Sequence, residues 1–431
     1  MLDINLVRTK PELVKENMRK KFQDEKLCLV DEVIELDKEF RGAKTQCDAL
    51  RNQRNVVSKE IGGLMAKGMR EEAEEAKKKV AAIADELARL EALESELEPQ
   101  IRERMMKLPN IIDDSVPIGK DDSENVQLDT MGEATIPDYE VPYHVDIMEH
   151  LCGLDLDSAR KTSGNGFYYL KGDVARLHSA ILSYARDFMI DRGFEYHIPP
   201  FMIHGSVVTG VMSFAEMDNM MYKIEGEDLY LIGTSEHSMI GKFIDTLMDP
   251  QELPQTLTSY SPCFRKEVGA HGIEERGIYR VHQFEKQEMV VLCEPEESGQ
   301  WFETMLRNTV DFFRTLDIPV RTIECCSGDL ADLKVKSIDV EAWSPRQGKY
   351  FGELGSCSNL GDAQARRLGI RVRSKEKGNY FPHTLNNTVV APPRMLIAFL
   401  ENNLNADGTV RIPQALRMYM GGKEQIGTPS V

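Results

Sequence analysis

The 431-residue sequence lacks the features that mark several common protein classes. Its eight cysteines are scattered without a Cys-x-x-Cys pair, so we expect no structural zinc, no disulfide framework and a reducing compartment. It contains no signal-peptide segment and no apolar run near the ~18 residues of a membrane span, which predicts a cytoplasmic protein without a membrane partner. Neither glycine-rich phosphate loop, GxGxxG or GxxxxGK followed by Ser or Thr, occurs, so nucleotide binding by those loops is unsupported.

Negative charge is in excess, but it is distributed unevenly. The formal net charge is -18, yet residues 1–110 are almost neutral and the remainder carries nearly all of the excess. A polyanion would therefore approach the N-terminal part more easily than the acidic body. The length predicts more than one domain, one of them with a substantial core.

The N-terminal part, residues 1–110, contains two apolar seams. Apolar residues recur at spacings of three and four from Val33 to Leu64 and again from Val80 to Ile101, whereas Gly62-Gly63 and Gly68 interrupt the pattern. Two similar seams joined by a Gly-containing turn predict an antiparallel helical hairpin on the order of 50 Å long. Pro99 lies within the second helix and is expected to kink or loosen it.

Such a hairpin commonly serves as a dimerisation element, which is one interpretation. Basic residues cluster near its tip and favour contact with phosphates instead. A solvated charged face is a third interpretation, because Glu71-Glu72 and Glu74-Glu75 are interleaved with them. The candidate phosphate-binding residues are Arg51, Arg54, Lys59, Lys77 and Lys78.

The body follows a linker, residues 111–140, that is rich in Asp, Ser, Gly and Pro. In residues 141–431, strand signals arrive in runs with helices between groups, which predicts an α+β fold: an antiparallel sheet flanked by helices. The predicted helices are 173–192, 297–316 and one that begins at Arg394. The predicted strands include 228–233, 258–264, 279–292, 319–324, 338–343, 351–358 and 370–373.

Six of the charged residues on two predicted paired strands, 262–267 and 280–288, stand out. Charge is costly in a sheet unless it is paired or holds a ligand. An Arg flanked by carboxylates suits a substrate that carries both phosphate and ammonium groups. A surface hairpin with a salt-bridge ladder fits equally well. The six residues are Arg265, Lys266, Glu267, Glu285, Lys286 and Glu288.

Three further positions in the body stand out. Thr234-Ser235-Glu236 ends a predicted strand, and Glu353 precedes Gly355-Ser356. Arg394 begins an apolar helix, where a cation opposes the helix dipole at a cost of a few tenths of a kcal/mol. An anion near Arg394 would offset that cost.

The ordered motifs in the body resemble those of class II aminoacyl-tRNA synthetases, and specifically the seryl-tRNA synthetase family. The three stretches are Gly193 to Pro200, Phe264 to Glu288, and Val389 to Glu401. The opening Leu2-Asp3-Ile4 and the long arm are similar to that family as well, so the resemblance covers essentially the whole chain. It implies a tRNA-binding coiled-coil arm and a class II catalytic domain.

The resemblance also implies roles for individual residues. Arg265 would clamp the ATP α-phosphate and the serine carboxylate, Glu353 would bind Mg²⁺ through ATP, and Arg394 would reach the γ-phosphate; these three are the implied catalytic residues. The implied ATP-binding residues are Arg265, Lys266, Glu267, Val281, His282, Gln283, Phe284, Glu353, Leu354, Gly355, Ser356 and Arg394. The implied serine-binding residues are Thr234, Ser235, Glu236, Arg265, Glu288, Asn386 and Thr388.

The implied activity is that of a homodimeric serine–tRNA ligase. With ATP and Mg²⁺ it would activate L-serine to seryl-adenylate and transfer the seryl group to tRNA(Ser), with tRNA(Sec) as a further acceptor. Two alternatives are a synthetase-like paralogue that serves a non-tRNA acceptor and a non-catalytic relative. The sequence departs from the family at Gly355, where a Ser is usual, and at Pro392-Pro393, where small or hydroxylated residues are usual.

Overall fold

The computed structural model describes residues 1–267 and 277–428, apart from the side chain of Ala215. All but the last residue of the predicted connection at 268–277 therefore lies outside the described residues. The chain divides into two compact units. One is Leu2–Pro109, and the other is Asn110–Val431 together with Met1.

The N-terminal unit is built on two long helices that pack against each other. Their shared core includes Ala43, Cys47, Ile83, Leu87 and Leu90, which are members of the two predicted seams. The helical hairpin predicted from the 3-4 spacing is thus confirmed. The helices of this unit are α1 (Ile4–Thr9), α2 (Pro11–Lys20), α3 (Cys28–Ala66) and α4 (Arg70–Lys107).

The hairpin turn is shorter than the sequence pattern predicts. Helix α3 continues through Gly62-Gly63 to Ala66, and nothing lies within 4 Å of where a Cβ would be at either glycine. Their cost to the helix, about 1 kcal/mol each relative to Ala, is therefore tolerated on an exposed face. Gly68, with φ +79°, makes the turn, because that backbone conformation favours glycine.

The second unit contains a large sheet surrounded by helices. Its helices are α5 (His144–His150), α6 (Leu156–Ser163), α7 (Gly172–Ile190), α8 (Gly205–Val211), α9 (Phe214–Met220), α10 (Ser235–Gly241), α11 (Ser298–Thr315), α12 (Ala363–Leu368), α13 (Pro392–Asn403) and α14 (Gln414–Arg417). Its strands are β1 (Val126–Met131), β2 (Leu154–Asp155), β3 (Tyr169–Leu170), β4 (Glu195–His197), β5 (Met202–Ile203), β6 (Tyr230–Leu231), β7 (Leu247–Met248), β8 (Gln255–Phe264), β9 (Gln283–Cys293), β10 (Val320–Glu324), β11 (Lys336–Ser344), β12 (Lys349–Asn359), β13 (Arg371–Ser374), β14 (Gly378–Tyr380), β15 (His383–Val390), β16 (Val410–Arg411) and β17 (Gln425–Ile426).

The eight-stranded sheet has the order β1-β10-β11-β12-β15-β9-β8-β4. Every neighbouring pair is antiparallel except β4 and β8. The predicted antiparallel sheet with flanking helices is therefore confirmed. Helix α11 buries Phe302, Met305, Phe312 and Phe313 in the core of this unit, as expected from its apolar periodicity.

Several predicted boundaries differ from the structure. Strand β8 ends at Phe264 and β9 begins at Gln283, so Arg265 to Glu267 follow the strand rather than lying on it. The stretch predicted as a linker contains the edge strand β1, which pairs with β10. Strand β15 was not predicted, and α13 begins at Pro392, two residues before Arg394.

Candidate active site

A row of polar side chains crosses the middle of the large sheet. Asp339 on β11 lies opposite Ser356 on β12, and Thr388 on β15 lies opposite Glu288 on β9. These four side chains line one cavity of about 350 Å³, which we call the larger compartment. The row exists because the register of four strands brings residues from distant parts of the sequence to one level of the sheet.

A second cavity, of about 110 Å³, lies beside the first, and we call it the smaller compartment. Arg265, Lys286, Glu353 and Thr388 line both cavities. The two compartments therefore share a wall that carries both signs of charge. The remaining residues of the smaller compartment are Glu267, Tyr279, Arg280, Val281, Phe284, Leu354, Ala391, Pro393 and Arg394.

Arg265 is fixed at the junction of the compartments. Its Nε donates to the backbone oxygen of Gly233 at 3.2 Å, and its guanidinium carbon lies 5.3 Å from the centre of the Phe284 ring. A planar guanidinium held in this way leaves its terminal N–H groups available for bidentate binding of phosphate or carboxylate. Glu267 lies two residues farther along the same segment and has φ +47°. Its Oε2 lies 3.5 Å from Arg280 Nη1.

Arg394 has the anionic partner that its position at a helix start predicts. Its Nη1 lies 3.4 Å from Glu353 Oε2 and donates to the Glu353 backbone oxygen at 3.1 Å. The guanidinium also lies 4.8 Å from the centre of the Tyr279 ring. Pro392 and Pro393 occupy the first turn of α13, where the missing N–H groups cost little, and so they leave Arg394 in place.

Glu288 is buried and paired on the floor of the larger compartment. Its Oε2 lies 2.5 Å from Lys286 Nζ and accepts a hydrogen bond from Thr388 Oγ1 at 3.4 Å. Lys286 Nζ also donates to Thr388 Oγ1 at 3.5 Å. An ion pair of the kind that a salt-bridge ladder on this hairpin predicts is therefore present between Lys286 and Glu288. The Glu288 carboxylate nevertheless also lines the cavity.

Glu236 faces the same compartment from the start of α10. Thr234 caps this helix and accepts from the Glu236 N–H at 3.4 Å, which fixes where the side chain leaves the backbone. Burial, followed by repulsion from Glu288, raises the pKa of Glu236 to about 7, although Gln364 Nε2 donates to its Oε1 at 2.8 Å. Burial and nearby cations lower the pKa of His237 to about 3, so this imidazole stays neutral.

Most of the residues expected to bind ATP line the smaller compartment, and most of those expected to bind serine line the larger; six residues depart from this division. Lys266 points to the backbone oxygen of Asp218, Ser235 is buried against Ser259, and His282 lies within hydrogen-bonding distance of the Arg265 backbone oxygen. The other three lie as follows: Gln283 lines a separate cavity of about 430 Å³, Ser356 lines the larger compartment rather than the smaller, and Gly355 lines neither.

Gly355 has a packing reason to lack a side chain. A Cβ there would lie 3.0 Å from the Thr388 backbone oxygen and 3.3 Å from Thr388 Cβ. A serine at this position would therefore push β12 and β15 apart at the level of Thr388.

Lys334 and Asp339 are among the charged residues of the larger compartment that were not predicted. Lys334 lies between α11 and β11 in a segment without a clear period, and Asp339 lies within a predicted strand. A charged residue on a strand with buried neighbours is the signal that would have identified Asp339, because such a charge requires a partner or a ligand.

The five basic residues proposed for phosphate contact lie towards the turn of the hairpin. Arg51 pairs with Asp48 and Glu91, and Lys77 pairs with Glu74. Arg54, Lys59 and Lys78 are exposed and make no ion pair with any residue that the structure describes. These three are the freest cations of the candidate set.

Two kinds of feature are absent among the described residues: a metal-binding cluster and a membrane-spanning helix. No group of three or more His, Cys, Asp or Glu side chains among them is arranged to hold a metal ion. None of the helices that the structure describes has the length and apolar character needed to cross a membrane.

Two family models match the chain. The seryl-tRNA synthetase N-terminal domain matches residues 1–112, and the class II tRNA synthetase core domain (G, H, P, S and T) matches residues 221–403. A serine–tRNA ligase from Methanoculleus marisnigri is 40% identical over 428 residues, covering 99% of this chain and 100% of the relative. One from Pyrococcus horikoshii is 42% identical over 446 residues, covering 98% and 97%.

Solved structures are similar over the full length. The seryl-tRNA synthetase from Pyrococcus horikoshii complexed with ATP has a TM-score of 0.93 and 40% identity, and the match covers 100% of both chains. The cytoplasmic serine–tRNA ligase from Naegleria fowleri in complex with AMP has a TM-score of 0.87 and 33% identity, with 99% of both chains covered.

Proposed function

The chain belongs to the seryl-tRNA synthetase family, and on that premise we propose how its two compartments act as a serine–tRNA ligase. The enzyme activates L-serine with ATP and transfers the seryl group to tRNA(Ser). The smaller compartment receives ATP and the larger compartment receives serine. The observation that supports the assignment is the wall shared by the two cavities: Arg265 lines both, as expected of a residue that binds the ATP α-phosphate and the amino-acid carboxylate together.

In the activation step the serine carboxylate attacks the α-phosphorus of ATP and pyrophosphate leaves. Arg265 holds the two reacting groups together and neutralises charge that builds up between them. Arg394 lines the smaller compartment and lies beside Glu353, and there we place the γ-phosphate end of ATP. No side chain acts as a nucleophile.

Serine is held by groups that complement its ammonium and hydroxyl. Glu236, with Thr234, faces the ammonium, while Glu288, Thr388 and Asn386 surround the hydroxyl. A site that must hydrogen-bond the hydroxyl rejects alanine strongly, because alanine would leave a buried carboxylate unpaired. In the second step a hydroxyl of the tRNA 3′ end attacks the acyl carbon and AMP leaves.

The residues of the shared wall also fit a magnesium ion carried by ATP. Glu353, which lines both compartments, supplies the carboxylate. Magnesium is usually held by one or two carboxylates together with substrate phosphates, which matches this donor set. When bound, the ion would neutralise phosphate charge.

We further propose a division of labour along the chain. Residues 1–110 form the arm that binds tRNA, 111–140 connect it, and 141–431 form the catalytic domain. Arm residues Arg51, Arg54, Lys59, Lys77 and Lys78 contact tRNA phosphates, with tRNA(Sec) as a further acceptor. The catalytic domain forms the interface of a homodimer.

The test is an aminoacylation assay with purified protein, ATP and Mg²⁺, serine, and bulk tRNA. We expect serine-dependent ATP–pyrophosphate exchange and accumulation of acid-precipitable seryl-tRNA. Alanine and threonine, supplied in place of serine, are the matched substrate controls. Exchange without tRNA charging would point instead to a non-tRNA acceptor, and no exchange with any of the three amino acids would overturn the proposal.

A further inference from the structure

Lys334 places an ammonium in the wall of the larger compartment without a carboxylate beside it. Its Nζ donates to Ser337 Oγ at 3.2 Å and to Ser356 Oγ at 3.3 Å. Among the described residues no carboxylate oxygen lies within 4.0 Å of it, the limit for an ion pair. The two hydroxyls are themselves 3.0 Å apart, so they hold the ammonium in one place.

The charges around Lys334 come from three different elements. Asp339 on β11, Glu353 on β12 and Glu236 on α10 all act on it electrostatically, and together they raise its pKa above the ordinary value although burial opposes this. Cys325 also faces Lys334, and burial raises the pKa of this thiol, which leaves it uncharged. Lys334 therefore carries its positive charge throughout the neutral range.

The compartment would be short of positive charge without Lys334. Its wall carries the carboxylates of Glu236, Glu288, Asp339 and Glu353, with Glu216 and Asp329 farther along, against the cations of Arg265, Lys286 and Lys334. Like charges in a partly buried site raise one another's proton affinity. Removing one of these cations would therefore raise the pKa values of the carboxylates, so that the carboxylates bind more protons at a given pH.

Two of these carboxylates already respond to that crowding. Burial and Glu353 raise the pKa of Asp339 to about 7, and Lys334 opposes the shift. The pKa of Glu236 is also raised to about 7, and both Lys286 and Lys334 oppose that shift. Asp339 Oδ1 is buried and has no hydrogen-bond partner among the described residues, although Ser356 also acts on this carboxyl and opposes the shift of its pKa.

We propose that Lys334 is a positioning residue for serine activation, and that its ammonium, held by Ser337 and Ser356, keeps Glu236 available as a carboxylate for the serine ammonium at neutral pH. The inference rests on the proposed function, because it takes serine as the ligand of the larger compartment. Lys334 acts through its charge and need not touch serine.

The test compares Lys334→Met and Lys334→Arg by ATP–pyrophosphate exchange. We measure kcat/KM for serine at saturating ATP between about pH 6 and 9, since this ratio reports ionisations of the enzyme before serine binds. For Lys334→Met the rising limb should move to higher pH, because Lys334 opposes the rise in the pKa of Glu236. Lys334→Arg should keep the wild-type profile, and the KM for ATP should stay unchanged in both variants.

The outcomes separate the inference from the proposed function. A Lys334→Met profile that coincides with wild type, or equal losses in the Met and Arg variants without a pH shift, would overturn the role of the charge. Lys334→Gln keeps a donor for the two hydroxyls but lacks the charge, so it replaces the Met variant if that one does not fold, with the same upward shift expected. If the wild-type enzyme shows no serine-dependent exchange, the proposed function fails and the inference with it.

Discussion

Glu236 carries the main pH dependence that we expect of serine binding. Its pKa is raised to about 7, so it loses its negative charge as the pH falls through that value, and a protonated carboxyl no longer attracts the serine ammonium. His237, the imidazole beside it, has a pKa of about 3 and stays neutral over the same range. The pH response of the compartment is therefore set by carboxylates.

The first prediction is that kcat/KM for serine in ATP–pyrophosphate exchange falls as the pH drops below about 7, approaching tenfold per pH unit. Bound serine stabilises the ionised form of Glu236, so kcat at saturating serine should depend less on pH. Glu236→Gln should lower kcat/KM and remove this limb. A limb that persists unchanged in Glu236→Gln would assign the pH dependence to another group.

The second prediction concerns selection of the serine hydroxyl by Glu288. Glu288→Gln should reduce kcat/KM for serine activation about 100-fold or more, which corresponds to loss of a charge-assisted hydrogen bond of about 3 kcal/mol. The KM for ATP should change little. Glu341→Gln is the control, because Glu341 pairs with Arg321 and lines neither compartment.

The ion pair between Lys286 and Glu288 allows a sharper version of that experiment. Glu288→Gln leaves Lys286 buried without its partner, which by itself could reduce activity. The double variant Lys286→Met, Glu288→Gln removes both charges. Recovery of serine activation in the double variant would show that Glu288 serves only to neutralise Lys286, and normal activation by Glu288→Gln would refute the assignment directly.

At the level of elements, the central strand β15 shows where sequence periodicity fails. It is buried along almost its whole length, yet it contains Thr384, Asn386, Asn387 and Thr388, and so it lacks an apolar run. Several of its polar groups have tertiary partners: Asn387 Nδ2, for example, donates to the Met305 backbone oxygen at 2.9 Å. No local pattern encodes such partners, so the strand becomes visible only when the sheet is assembled.

The residues of the candidate site divide in the same way, into those that a local sequence pattern indicates and those that depend on the pairing of strands. Arg394 was predictable because a cation at a helix start needs an anion, and Glu353 is that anion. Lys334 and Asp339 were missed because their significance depends on β11 and β12 being neighbours, which sequence separation does not reveal. The arm was predicted well, since its contacts are between two helices whose apolar residues recur at spacings of three and four.

The third prediction tests the tip of the arm. The triple variant Arg54→Ala, Lys59→Ala, Lys78→Ala should raise the KM for tRNA about tenfold or more and weaken its dependence on salt, because fewer phosphates are neutralised. Serine-dependent exchange should remain at the wild-type level. The matched control removes three other exposed cations of the same two helices, Lys38, Lys44 and Arg89, and should leave the KM for tRNA nearly unchanged. Equal effects of the two triple variants would indicate a general charge effect rather than a site.

At the level of the whole molecule, the acidic catalytic unit requires tRNA to be captured locally. Nearly all of the net charge of -18 belongs to residues beyond 110, so long-range attraction of a polyanion to that unit is unfavourable. The nearly neutral N-terminal unit, with its unpaired cations near the turn, provides a surface where the repulsion is smaller. We therefore expect tRNA binding to weaken faster with added salt than serine or ATP binding does.

The last prediction is that the protein is a homodimer through the segment Gly193 to Pro200. Strand β4 is the last strand in the order of the eight-stranded sheet, and its neighbour in that sheet is β8. Ile198, directly after β4, is 67% exposed, and Pro199-Pro200 then removes two backbone donors. An exposed apolar residue on a sheet edge is a natural place for pairing with another chain.

Wild-type protein at micromolar concentration should therefore sediment as a dimer. Ile198→Asp should shift it towards monomer with reduced exchange activity, because a buried, unpaired carboxylate is costly at an interface. Ile118→Asp is the control, since Ile118 is 57% exposed and precedes β1, the strand at the opposite edge of the sheet. A fully active wild-type monomer would rule out the dimer, and equal behaviour of the two Asp variants would place the interface elsewhere.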